Sequence, residues 1–127
     1  MSETFPVVRL SADQSGESRF DGFDVPLALQ DFAPPAAPLL VSPSLPASGY
    51  VVIRLPAGWV GQAHPSPRRQ ILFCLSGSMT VTTSTGDTRT ICAGDGWLMG
   101  DTTGKGHRTQ VVAGPVDAVI VQLPAAG

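Results

Sequence analysis

The chain holds two histidines, His64 and His107, and both stand where an imidazole could do chemistry. His64 opens the stretch HPSPRRQ (64–70), in which Pro65 and Pro67 favour an extended backbone. Extended chains alternate faces, so His64, Ser66, Arg68 and Gln70 share one face if the segment stays regular. His107 follows Gly104-Lys105-Gly106, whose glycines permit a sharp approach to a strand beginning at the histidine. A closed β-fold would bring the two imidazoles together inside it. Neutral imidazoles can ligate a divalent metal or exchange protons. The planar forks of Arg68 and Arg108 suit a carboxylate or phosphate.

The elements that would position these groups are strands. Twelve prolines and fourteen glycines scattered through 127 residues interrupt any long helix. Strands are expected over 7–10, 25–30, 39–42, 50–55, 70–75, 79–83, 88–91, 97–99, 107–112 and 116–123. Ser76-Gly77, Thr85-Gly86-Asp87 and Gly114-Pro115 are read as the turns between them. Many short strands with tight turns predict an all-β sandwich or barrel. The proline-dense 33–46 reads as a surface connection, or as an arm lying across a neighbouring subunit. It separates an N-terminal part, 1–49, from a compact barrel, 50–123, within one domain over 1–127.

A domain of this length can bury roughly two-thirds of its unfolded surface without metal or disulfide staples. Any metal would therefore serve function before structure. The formal net charge is −2, and the eight Lys and Arg residues form no run suited to a phosphate backbone. Nucleic acid is not an expected partner. No apolar run reaches the roughly 18 residues needed to span a bilayer, and the start shows no export signal. A cytoplasmic protein without membrane contact is expected. Cys74 and Cys92 are read as small buried hydrophobes, not as a disulfide. In 70–75, Ile71, Phe73 and Leu75 alternate with Leu72 and Cys74, so both faces are apolar. Something must cover the outer one, the arm or a second subunit, and a homodimer is expected.

Gly58, His64, Ser66, Gln70 and Gly77, with gaps of five, one, three and six residues, resemble the first motif of the cupins. Gly94-Asp95-Gly96 and His107, thirteen positions after Gly94, resemble the second more loosely. Gly100 and Thr102 depart from its proline and glycine, two extra residues precede His107, and Val111 stands in place of Asn. The resemblance implies a cupin-type double-stranded β-helix, a jelly-roll barrel with an extended N-terminal arm and a site in its mouth. Of the three His and one Glu that hold the family's metal, His64 and His107 remain, with Ser66 and Gln70 at the other positions. That assigns His64, Gln70 and His107 as metal candidates for Zn, Ni or Fe, and leaves a set without the carboxylate that offsets a divalent charge. Ser66, Arg68 and Arg108 are the ligand-binding candidates, and no catalytic residue is assigned.

The function implied is binding of a small polar or anionic metabolite in the barrel. The alternative is a metal-dependent or histidine-based enzyme acting on a small oxygen-rich substrate, and a purely structural dimer module is a third reading. A metal-free acid–base site would need a carboxylate to orient its histidine, for which Asp95 and Asp101 are the candidates. Lys105 in TGKGH lacks the spacing and the following Ser or Thr of a phosphate loop. Trp59 and Trp97 are read as core or rim packing.

Overall fold

The computed structural model describes residues 3–125, and all of its regular structure is strand. In chain order these are β1 (Glu3–Ala12), β2 (Ser18–Gln30), β3 (Leu39–Val41), β4 (Gly49–Leu55), β5 (Gln70–Thr83), β6 (Thr88–Cys92), β7 (Gly96–Gly100) and β8 (His107–Gln122). The sheet runs β3-β2-β1-β7-β5-β8-β4, and β6 pairs with β5. The expected all-β jelly-roll barrel is present. Among the described residues no helix is long and apolar enough to cross a membrane.

Two of the turns expected from the sequence are not turns. Ser76-Gly77 and Gly114-Pro115 lie inside β5 and β8, which pair along most of their lengths and slip register between Cys74 and Met79. A glycine beside a small polar residue signals a bulge as well as a turn, and here the bulge wins. Gly77 has φ +79°, and a Cβ there would lie 2.5 Å from the Pro115 carbonyl oxygen and 2.6 Å from that of Ala113. The two strands therefore bend together at one corner. Along one edge, the first half of β5 pairs with β7 and the second half with β6, so the sheet folds over its own inner face. Leu72 and Cys74 from one half, Met79 and Val81 from the other, and Leu10, Ile91, Trp97 and Ile120 form the buried core. Thr85-Gly86-Asp87 does turn between β5 and β6, with Gly86 at φ +95°.

The N-terminal arm is a β1–β2 hairpin joined to the barrel by parallel pairing of β1 with β7. Its Phe5 and Val7 come close to Phe73 beside Gly96, so the arm covers part of the outer apolar face. Ion pairs Arg9–Asp21 and Arg19–Asp13 lie on this hairpin, and each arginine holds its partner carboxyl below the ordinary range. The proline-dense stretch is exposed over most of its length and carries β3. Cys74 is buried, which pushes its thiol pKa up, whereas Cys92 is exposed, contrary to the expectation of two buried cysteines. Neither is bridged.

Candidate functional site

The segment leading to β5 runs beside the start of β8. Val111 N–H donates to the Trp59 carbonyl and Gly61 N–H to that of Thr109, both at 2.9 Å. His64 and His107 exchange backbone hydrogen bonds of 3.1 and 3.0 Å, and their ring centroids lie 5.2 Å apart. The expected meeting of the two histidines is present, but at the rim, where His107 is buried and His64 is exposed. It depends on Gly106, at φ +74°, because a Cβ there would sit 2.1 Å from the His64 carbonyl carbon. The β1–β2 turn steadies this loop from outside. Ser18 Oγ donates to the Gly106 carbonyl at 2.7 Å, Lys105 N–H donates to that of Gly16 at 2.8 Å, and Lys105 pairs with Glu17. Lys105, helped by the Ser84 hydroxyl, holds the Glu17 carboxyl below its ordinary range. The glycines and lysine of TGKGH thus serve close approach and clamping.

Asp101 sets the orientation of His107. It is fully buried, its Oδ2 accepts the His107 Nδ1 hydrogen at 2.7 Å and its Oδ1 accepts the Ser66 hydroxyl at 2.8 Å. Ser66 N–H also donates to the Asp101 carbonyl at 2.9 Å. With Nδ1 donating, a neutral His107 ring keeps Nε2 bare as an acceptor. His64 repeats the arrangement at the rim, its Nδ1 donating to the Gln62 carbonyl at 2.7 Å. The Trp97 indole meets the His107 ring edge-on at 5.1 Å, and its Nε1 is buried with no partner among the described residues.

These groups border a cavity of about 180 Å³. Its walls are mostly apolar, with Leu72, Met79, Met99 and Ile120 beside Trp59 and Trp97. The polar groups on it are His64, His107, Gln70 and Thr109. Gln70 is buried, and its amide nitrogen lies 3.5 Å from the Met99 sulfur.

Arg68 and Arg108 do not line this cavity. Bends at 67–69 break the alternation expected of an extended segment, so Ser66 turns onto Asp101, Arg68 points outward to Ser48 Oγ at 3.2 Å, and Gln70 turns inward. Arg108 follows the inward-facing His107 on a regular strand and faces out. Of the two candidate carboxylates, Asp101 orients a histidine, whereas Asp95 accepts the Cys92 N–H at 2.8 Å in the turn before β7. Both tryptophans are packing residues that also form cavity wall.

The donor set does not fit the four-ligand metal centre that the resemblance implies. Two neutral imidazoles and an amide in an apolar cavity leave a divalent charge without a compensating carboxylate. Asp101 is occupied by Ser66 and His107, and among the described residues no three His, Cys, Asp or Glu side chains are grouped as a metal site. The buried Trp97 N–H is a donor, which a cation cannot satisfy.

Neither a protein-family model nor a curated protein sequence matches the chain. Among solved structures, the cupin domain of Schizosaccharomyces pombe Cnp3 aligns over 94% of this chain and 81% of its own, at 13% identity and a TM-score of 0.46. A Salmonella typhimurium structure described as ethanolamine utilization protein Q aligns over 97% of this chain and 98% of its own, at 18% identity and a TM-score of 0.38. The jelly-roll assignment rests on the strand order and the bulged corner.

Proposed function

We propose that the barrel binds a small polar metabolite with an apolar body and one hydroxyl group, held between Trp97 and His107. The observation that carries this reading is the buried, unpartnered Trp97 Nε1 hydrogen on an indole that meets the His107 ring edge-on, with His107 Nδ1 engaged by Asp101 so that a neutral ring offers Nε2 as an acceptor. A hydroxyl oxygen accepts from the one and donates to the other, which removes a buried unsatisfied donor costing roughly 1–3 kcal/mol. The cavity suits such a ligand, since engineered cavities of about 150 Å³ accept benzene.

Phenol tests this directly. It is expected to bind with a Kd on the order of 0.1–1 mM, and His107→Ala is expected to weaken binding at least about tenfold, the loss of one hydrogen bond. Calorimetric titration, repeated in chelator, measures both. Binding that requires added Zn²⁺, Ni²⁺ or Fe²⁺ would instead favour a divalent ion on the two histidines. A second reading, catalysis, draws on the His107–Asp101 dyad, in which the same Nε2 would take a proton from the bound hydroxyl.

The homodimer belongs to this proposal, built on β4 and the outer face it shares with β8 and β5. Strand register aligns Tyr50, Val121 and Ile71 in one row and Val52, Val119 and Phe73 in the next. Tyr50 and Val52 are about 70% exposed on an edge strand with unpaired backbone groups, a surface that a second copy would cover. Val52→Asp is expected to convert a dimer to a monomer in light scattering; an unchanged mass would reject this face.

A further inference from the structure

The other side of β7 carries a larger opening. Trp97 and Met99 face the barrel cavity, while Leu98 and Gly100 line a surface groove of about 820 Å³. That volume lies within the roughly 300–1,000 Å³ of small-molecule sites. Three arginines border the groove, Arg9, Arg68 and Arg69, and no Asp or Glu does. Arg9 is held by both oxygens of Asp21, at 2.8 and 2.6 Å. Arg68 gives one N–H to the Ser48 hydroxyl, and the half-buried Arg69 has no side-chain partner among the described residues. Two guanidinium groups therefore line one concave site in which neither has a carboxylate partner among the described residues. Leu98 and Leu123 give the groove an apolar floor, and Ser11 and Thr102 add hydroxyls.

We infer that this groove is an oxyanion site that takes an organic phosphate or carboxylate, its head on Arg68 and Arg69 and its apolar body on Leu98 and Leu123. Planar forks bind such heads bidentately, and the neighbouring apolar surface favours a ligand with a hydrocarbon part. The site is separate from the barrel cavity, sharing only Pro67 among their lining residues.

The test is calorimetric titration at about 20 mM salt with hexyl phosphate, hexanoate and inorganic phosphate, conditions under which exposed charges are weakly screened. Hexyl phosphate is expected to bind one to one, at least fivefold tighter than inorganic phosphate. Arg68→Gln and Arg69→Gln are each expected to weaken it about tenfold or more, while Arg19→Gln, outside the groove, leaves it unchanged. Hexanoate binding with the same losses extends the site to carboxylates; its absence narrows it to phosphates. These exposed or half-exposed substitutions should leave thermal melting nearly unchanged. Failure of hexyl phosphate to saturate, or equal weakening by Arg19→Gln, would overturn the assignment. Phenol binding by the Arg69→Gln protein separates this result from the fate of the barrel proposal.

Discussion

Asp101→Ala is expected to destabilise the protein by about 2–6 kcal/mol, because each buried donor left without its acceptor costs roughly 1–3 kcal/mol and two donors are affected. The carboxylate is fully buried and serves two side chains, His107 and Ser66, so its removal orphans an imidazole N–H and a hydroxyl together. It also leaves a void against β8. Asp101→Asn keeps an oxygen for the His107 hydrogen and is expected to cost less, about 1–2 kcal/mol. Urea unfolding of the three proteins measures the difference. A loss below about 1 kcal/mol in the alanine variant would mean that Asp101 is not the buried anchor of His107.

Gly106→Val should be nearly as damaging, and for a reason independent of charge. Its φ of +74° disfavours any side chain, and the added Cβ would meet the His64 backbone at 2.1 Å. The His64–His107 bridge must open, with an expected loss of at least about 3 kcal/mol and of phenol binding. Gly58 supplies the control. Its φ is +79°, yet nothing lies within 4 Å of its missing Cβ, so Gly58→Ala should show the backbone penalty alone, about 1 kcal/mol. Equal losses at the two glycines would deny that close approach at Gly106 builds the site.

Much of this arrangement was legible in the residues. Strand positions, the turn at Gly86 and the meeting of His64 with His107 follow from alternation, glycine placement and motif spacing. What was not legible depends on where regular alternation fails. Parity put Arg68 on the His64 face, but the bend at 67–69 turned it out. Arg108 was readable: it neighbours an inward histidine on a regular strand and so had to face outward. Ser76-Gly77 carries the same residues as a turn, and only its pairing partner across the barrel makes it a bulge. Asp101 was one of two candidate carboxylates because a loop, with no period, brings it back to His107. The groove on β7 could not be foreseen, since its arginines come from β1 and from the bend before β5.

In the function proposed for the barrel, His107 presents a bare Nε2 to a hydroxyl-bearing ligand without help from a metal. Long-range proton–nitrogen spectra of the histidine rings test it most directly, because the chain has only two histidines to assign. In chelator, a His107 ring carrying its hydrogen on Nδ1, toward Asp101, with Nε2 bare is expected. The Nε2 resonance is expected to move in saturable fashion as phenol is added, and the Trp97 indole proton to move with it. A His107 ring protonated at Nε2, or one that responds to zinc and not to phenol, would rule out this mode of binding.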